Sequence, residues 1–490
     1  MDPSALTALD ALAAMAAREL SAAELLEACI DRVDQLDPVV NAMVIRNFEE
    51  ARSLAAEADE ATARGETTGA LHGLPVAIKD LQPTAGIHTT YGSPDFADHV
   101  PTEDAGIVAR VRAAGGIPIG KTNIPERSIG ANTVNPLFGA TGNPFDPSLT
   151  CGGSSGGSAV ALAAQMAPLA TGSDHGGSIR IPACYCGVVG HRSTPGLVPF
   201  ELRTMTQTFY SVQGPMARTV ADAALLLSVV ADRRTGTRPH DPMMFPYEAS
   251  TLADLETIDP SSLRVAVSED LGGVLVSEEI RAVFRDRVDR LAGQVAVCEP
   301  APIDLRRAPD VDWKLRSDIF VTQYHREAGT WTDDFNPNIR QSYDAALAMP
   351  MRDIAEARAV QTELNREMQS VFEDYDLLLC PGVSVPPFPW EHRNPPDVDG
   401  VPVDNYMAWL ALSASLTVVG HPVTALPCGL DRRGTPFGVQ LVGPMYGDRR
   451  LLSIAAALEA VFARDAEMRR PVPDLERLAT LDAGCRDARM

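Results

Sequence analysis

TCGGSSGGSAVALAAQMA, running from Thr150 to Ala167, sets four glycines and two serines (Gly152 to Gly157) ahead of an Ala-rich segment without charge. Such a loop can cradle a phosphate, present a nucleophile, or let a helix start close against another backbone. A Walker-type loop needs G-x-x-x-x-G-K-[ST] between a strand and a helix. Gly152 and Gly157 have that separation, but Ser158 holds the lysine position, and TGNPFDPSL before it is a proline-broken loop. The phosphate reading fails. GGSSG also satisfies the nucleophile elbow G-x-S-x-G, with Ser154 central. That motif requires a preceding strand, which NPFDPSL does not supply, and a downstream acid and histidine, for which His421 is the candidate. At this level the elbow and the close-packing loop both stay open.

Two other stretches bear on the choice. GSDHGGSIRIPA (Gly172 to Ala183) puts Ser178 after two glycines, where successive backbone N–H groups can converge as an oxyanion hole demands. GLPVAIKD places Lys79 where a short apolar run ends. A lysine in apolar surroundings loses the hydration of its ammonium form, so its pKa falls and it can serve as a base.

The bulk composition excludes several classes. Forty-five per cent hydrophobic and 22% charged residues describe a globular protein, and a formal charge of −23 argues against a nucleic-acid footprint. Eight cysteines between Cys29 and Cys485 show no repeated spacing, and no histidines complete a zinc pattern around Cys184 and Cys186. They read as reduced, buried thiols of a cytoplasmic protein. The start, MDPSALTALDALAAMAAREL, has no basic residue before Arg18 and does not read as a signal peptide. The most apolar run, Tyr406 to Gly420, carries Ser413 and Ser415 and is short for a membrane span.

Along the chain, Ser21 with Glu24 forms a capping box ahead of an amphipathic helix that should stop near Pro38. Asn47 to Arg64 reads as a second helix with Gly65 as its stop. Leu74 to Ile78, IPIG after AGIVARVRAAGG, and APLATGS before Asp174 read as short buried strands between helices. FGVQLVG and RRLLSIAAALEAVFAR close the pattern as strand and amphipathic helix. This is an α/β chain with a mostly buried sheet. The span from about Arg233 to Pro302 is charged, proline-rich and aperiodic, as a surface insertion or a domain boundary would be. Length alone favours two or more domains.

Taken together and in order, GLPVAIKD, VRAAGGIPIGKTN, CGGSSGGSAVALAA, GSDHGGSIRIPACYCGVVG, QGPMARTVADAALLL and TPFGVQLVGPMYGDRRLL resemble the amidase signature family, with Ser178 falling 24 positions after Ser154. The resemblance spans nearly the whole chain. It implies one domain over 1–490, α/β/α, with a mixed twisted central sheet covered by helices on both faces. Within it, 71–230 would be the signature core with the catalytic loops, 231–400 the variable substrate-pocket region, and 401–490 the closing strand–helix part. The family's catalytic set is Ser–cis-Ser–Lys. Carried over, Ser178 is the nucleophile, Ser154 the bridging serine on a cis peptide, and Lys79 the base. The backbone N–H groups of His175, Gly176, Gly177 and Ser178 would hold the oxyanion, with Ser155, Asp174 and Arg180 in support.

The implied activity is hydrolysis of a carboxylic amide, with some esterase activity, through an acyl-enzyme. No metal and no organic cofactor are implied, and the partner is a small-molecule amide rather than nucleic acid or membrane. A homodimer is the family's habit. The chain departs from the family in SDH before the paired glycines, where His175 replaces the commoner threonine, and in GHRSTPG (Gly190 to Gly196). The aromatic residues Trp313, Tyr324, Trp331, Phe335, Tyr343, Trp390 and Trp409 are candidates to line an acyl or aryl pocket. Three rivals stand beside the amidase reading. One is the glutaminase component of a tRNA-dependent amidotransferase, whose RYG-type segment is not found here. The others are a Ser-His hydrolase using His421 and a non-enzymatic amidase-like receptor.

Overall fold

The apolar run before Lys79 forms strand β2, Pro75–Lys79, buried at every position, as a strand covered on both faces must be. It is one of eleven strands in a single sheet. The others are β1 (Met43–Arg46), β3 (Ile117–Thr122), β4 (Leu169–Asp174), β5 (Val189–Arg192), β6 (Val212–Ala217), β7 (Arg264–Val267), β8 (Val297–Pro300), β9 (Leu377–Pro381), β10 (Val423–Leu430) and β11 (Pro436–Val442). Their spatial order is β1-β3-β2-β4-β6-β5-β10-β11-β9-β7-β8. β2 runs parallel to β3 and β4, whereas β4–β6, β5–β6 and β10–β11 are antiparallel, so the sheet is mixed. This computed structural model describes residues 2–206, 208–233, 241–332, 335–481 and 484–487.

Helices cover both faces of the sheet. Those that matter below are α1 (Ala22–Val40), α2 (Phe48–Ala63), α3 (Gly106–Ala113), α4 (Gly156–Ala163), α5 (Arg180–Cys186), α6 (Val220–Val230), α7 (Ala308–Tyr324), α8 (Ala411–Val419) and α9 (Asp448–Phe462). α4 and α5 pack on one another, as do α6 and α9. Among the described residues no helix is long and apolar enough to cross a membrane.

Two expectations need correcting. α1 does not stop near Pro38 but runs through it to Val40. A proline in the last turn forfeits a single helical bond. The end is set instead by Asn41, left-handed at φ 53°, and by the buried Asp37 carboxylate, which accepts the N–H groups of Ala42 and Met43 at 2.7 and 2.8 Å. The span from Arg233 to Pro302 is neither an insertion over the sheet nor a break in it. It supplies β7 and β8, and β7 pairs in parallel with β9. Its charge reflects an outer edge of the sheet, where β8 is only partly buried. Residues 234–240 of that span lie outside the described residues.

The opening glycine–serine loop has no strand before it and leads directly into α4, all eight residues of which are buried. A Cβ on Gly157 would sit 2.3 Å from the Asn123 nitrogen and 2.8 Å from the Ala42 oxygen. Only glycine lets this helix start so close to β3 and the end of α1.

Candidate active site

β2 and β4 are adjacent and parallel, so their C-terminal ends open onto the same edge of the sheet. Lys79 closes β2, and Ser173 and Asp174 close β4. The N-terminus of α4 brings Ser154 and Ser155 to that edge, and the turn before α5 brings Ser178. The two serine loops are joined directly, because the Ser155 N–H donates to the Ser178 carbonyl at 3.0 Å. Crevices at the carboxyl ends of strands are where α/β folds gather chemistry.

Lys79 is fully buried. Its Nζ lies 2.8 Å from Ser154 Oγ, 2.9 Å from Ser155 Oγ and 2.8 Å from Ser173 Oγ. Burial drives its pKa well below the ordinary lysine value, and Asp174 offsets this only in part. A neutral amine has two N–H donors and one lone pair, which three hydroxyl neighbours satisfy completely. Ser154 follows a cis peptide bond from Gly153. Its Oγ also accepts a hydrogen bond from Ser128 Oγ at 2.7 Å. Ser178 is half-buried and lines the neighbouring cavity, and no hydrogen bond joins it to Ser154 in this structure.

Asp174 is equally buried but heavily partnered. Its carboxylate accepts from the N–H of Gly177 and of Ile179, both at 3.1 Å, and from Arg180 Nε and Nη2 at 3.0 and 2.9 Å. Arg192 adds a contact at 3.3 Å. Burial alone would raise the carboxyl pKa, but the two guanidinium groups overcome it and hold the group ionised. Arg180 reaches on to the Ser413 carbonyl and Gln440 Oε1, each at 2.9 Å, and to Thr417 Oγ1 at 3.0 Å. It organises the turn and does not face the cavity. Gly177, at φ 121°, takes a conformation open to glycine, and its Cβ would collide with Ser413 at 2.7 Å. Its N–H is engaged by the Asp174 carboxylate.

A cavity of about 260 Å³ opens beside Ser154 and Ser178. Leu81, Ile129, Phe200, Met205, Ile319 and Phe320 make most of its wall apolar. His175 and Gln213 add polar groups. His175 Nδ1 is 2.9 Å from Ser211 Oγ, and its ring lies 5.1 Å from that of Tyr210. Burial, then Arg316 and Arg192, push its pKa well below the usual range, so the imidazole is neutral.

None of the seven aromatic residues expected at the pocket lines it. Tyr324, Phe335 and Tyr343 are buried in a separate cluster with Trp331 packed against them, and Trp390 and Trp409 are buried elsewhere. Trp313 packs on the main core. α7 brings Ile319, Phe320 and Gln323 to the cavity. Tyr324, one turn beyond Phe320 on the same side of the helix, packs its ring 5.6 Å from that of Phe320 and joins the buried cluster instead of the cavity wall. His421 is fully buried. Its Nδ1 meets the Val419 carbonyl at 2.9 Å, its ring lies against Phe372, and it touches neither serine, so the Ser-His arrangement is not formed.

Sequence reasoning missed Ser128, Ser173 and Gln213. Ser173 stands beside Asp174 at a strand end and is findable on that ground. Ser128, in IPERSIG, belongs to no motif. Among the described residues no group of three or more His, Cys, Asp or Glu side chains is placed to hold a metal ion. Cys29, Cys151, Cys184, Cys186, Cys298, Cys380 and Cys428 are free thiols, and burial raises the Cys151 and Cys184 thiols to about 12, which makes them inert neighbours of the site loops.

The sequence model of the family described as Amidase matches residues 24–452. The acylamidase of Rhodococcus erythropolis is 32% identical over 466 residues, covering 93% of this chain and 95% of that protein. A glutamyl-tRNA(Gln) amidotransferase component of Moorella thermoacetica is 34% identical over 495 residues, covering 94% of this chain and 96% of that protein. Among solved structures, a bacterial aryl acylamidase of the amidase signature family superposes with a TM-score of 0.83 at 27% identity, covering 93% of this chain and 96% of that one.

Proposed function

This chain belongs to the amidase signature family, and we propose that it hydrolyses carboxylic amides bearing an apolar acyl or aryl group through a Ser178 acyl-enzyme. The observation that carries the reading is the buried Lys79, its pKa lowered by burial and its Nζ 2.8 Å from Ser154 at the wall of the cavity that Ser178 lines. A serine hydroxyl is a poor nucleophile until its proton is removed. The Lys79 lone pair takes the Ser154 proton as Ser154 takes that of Ser178. Ser178 Oγ bonds to the amide carbon, and the carbonyl oxygen becomes an oxyanion facing the free N–H groups of the turn. The C–N bond then breaks as the proton returns through Ser154 to the departing nitrogen. Water repeats the cycle on the ester, releasing the acid and restoring Ser178.

Because neutral Lys79 is the working form, kcat/KM falls as pH drops through its lowered pKa. The apolar cavity wall and the aryl acylamidase and acylamidase relatives support the substrate class. A fluorophosphonate should label Ser178, located by peptide mapping. Lys79→Ala and Ser178→Ala should each lower anilide hydrolysis on the order of 10³-fold or more. Ester hydrolysis should survive Lys79→Ala better, since an alkoxide leaves with less protonation. Loss of activity in His421→Ala with Lys79→Ala unimpaired would sink the assignment.

The likeness to the amidotransferase component supports a second reading, release of ammonia from glutamine for a partner. The apolar cavity favours the first. Ammonia production from free glutamine, exceeding anilide cleavage, would reverse that order.

A further inference from the structure

We infer that Ser128 is a positioning residue of the proton relay, donating its hydroxyl hydrogen to Ser154 Oγ and steadying that oxygen as its proton passes to Lys79. The inference rests on the reading of Lys79, Ser154 and Ser178 as the relay. Ser128 lies 2.7 Å from Ser154 Oγ and lines the same cavity.

The local backbone is costly. Arg127 and Ser128 are left-handed, at φ 54° and 63°, a region that non-glycine residues enter only with strain. The surroundings enforce it. The Arg127 N–H donates to the Tyr91 carbonyl and the Ser128 N–H to the Pro125 carbonyl, both at 2.7 Å. Asn336 Nδ2 donates to the Glu126 and Ile129 carbonyls at 3.0 Å on either side, and the Arg127 guanidinium sits 4.5 Å over the Phe96 ring. The product of this bracing is a hydroxyl aimed at Ser154.

Counting hydrogens shows what that hydroxyl does. The Ser155 hydroxyl hydrogen is directed to the Ser173 carbonyl at 3.3 Å, so Ser155 accepts from Lys79. In the neutral amine Ser173 Oγ takes the second Lys79 N–H, and the remaining lone pair then faces the Ser154 hydroxyl at 2.8 Å. Ser154 Oγ then has two lone pairs. One holds the Ser128 hydrogen, and the other remains for the proton of Ser178. As the Ser154 O–H stretches toward Lys79 its oxygen gains negative charge, and a donor already in place strengthens at that moment. The Ser128 O–H dipole, bonded to Ser154 Oγ, turns its positive end toward Lys79 and so disfavours the ammonium form.

Few other charges compete for control of Lys79. Asp174 on β4 is the charged group acting on it, and Arg180 and Arg192 hold that carboxylate. On the adjoining strands, Lys121 is turned to Thr84 and Thr89, and Asp80 accepts from the Thr90 N–H at 3.1 Å.

The test compares Ser128→Gly and Ser128→Ala with the wild-type protein on one anilide across a pH series, alongside fluorophosphonate labelling of Ser178. Glycine relaxes the left-handed backbone while removing the hydroxyl, so a loss in that variant cannot come from strain. Both variants should lose about 10-fold in kcat, as expected for removal of one hydrogen bond to a charge-bearing oxygen. KM should change less, and the acidic limb of kcat/KM should move to higher pH. A Ser128→Gly protein with wild-type kcat and an unmoved limb overturns the inference, whatever Ser128→Ala does. A wild-type protein that neither labels nor hydrolyses overturns the relay reading and this inference with it. An active, labelled wild type with an indifferent Ser128→Gly removes this inference alone.

Discussion

Lys79 and Asp174 close neighbouring parallel strands and are 0% and 1% exposed, yet they are surrounded in opposite ways. Lys79 meets three hydroxyls and no carboxylate within ion-pairing distance. Asp174 meets two guanidinium groups and two backbone N–H groups. A buried charge without a counter-charge neutralises itself, and a buried charge with one persists. In the proposed mechanism the first region therefore supplies a base, whereas the second is a support for the turn that carries Ser178. Neither arrangement could do the other's work.

The largest test breaks the second region. Asp174→Asn leaves Arg180 and Arg192 buried without their carboxylate and should cost about 3–5 kcal/mol in urea unfolding. Because its folded pKa is depressed, Asp174 contributes stability above the unfolded carboxyl pKa, and that contribution drains away as pH falls toward the folded value. A variant as stable as wild type at neutral pH would show that the arginines are not held by this charge.

A second test makes the first region resemble the second. Ser173→Asp places a carboxylate where a hydroxyl now lies 2.8 Å from Lys79 Nζ. The ammonium form gains a partner, so the acidic limb of kcat/KM should rise by about 1–3 pH units, with activity recovering in alkali. A limb that stays in place would mean that the missing counter-charge is not what keeps Lys79 neutral.

The smallest effect concerns His175, which burial and two nearby arginines already hold neutral. His175→Gln should leave the position of the pH–rate limb unchanged and alter preference among anilides and primary amides by less than about 10-fold. A limb between pH 5 and 8 that disappears in this variant would make the imidazole a participant in the relay.

Much of this is legible in the sequence because glycine and serine cluster where backbones meet. GGSSGG and DHGGS announce loops that only small residues can form, and LPVAIK announces a buried strand with a polar end. The resemblance places Lys79, Ser154 and Ser178, and the fold brings Lys79 into contact with Ser154 while setting Ser178 on the cavity wall. What escapes a sequence reading has no one-dimensional signature. Ser128 reaches Ser154 only because two left-handed residues turn it inward, and Gln213 faces the cavity from within an otherwise ordinary strand. The aromatic residues mislead because composition does not reveal which of them pack together, as Tyr324, Phe335 and Tyr343 do in a cluster of their own. Pro38 misleads as a stop because a sequence does not reveal which turn of a helix is the last.

The reach of Arg180 has a consequence for how the protein is made. All three residues of the proposed relay lie before position 180, yet the side chain that braces the Ser178 turn is bonded to Ser413, Thr417 and Gln440. β11, which carries Gln440, sits across the sheet from β2 and pairs with β10 and β9. A nascent chain that has just emerged past α5 therefore holds Lys79, Ser154, Ser178 and Asp174 but lacks the Ser413, Thr417 and Gln440 partners of Arg180. Arg180 gains its full set of partners only once β11, the last strand of the sheet, has been made.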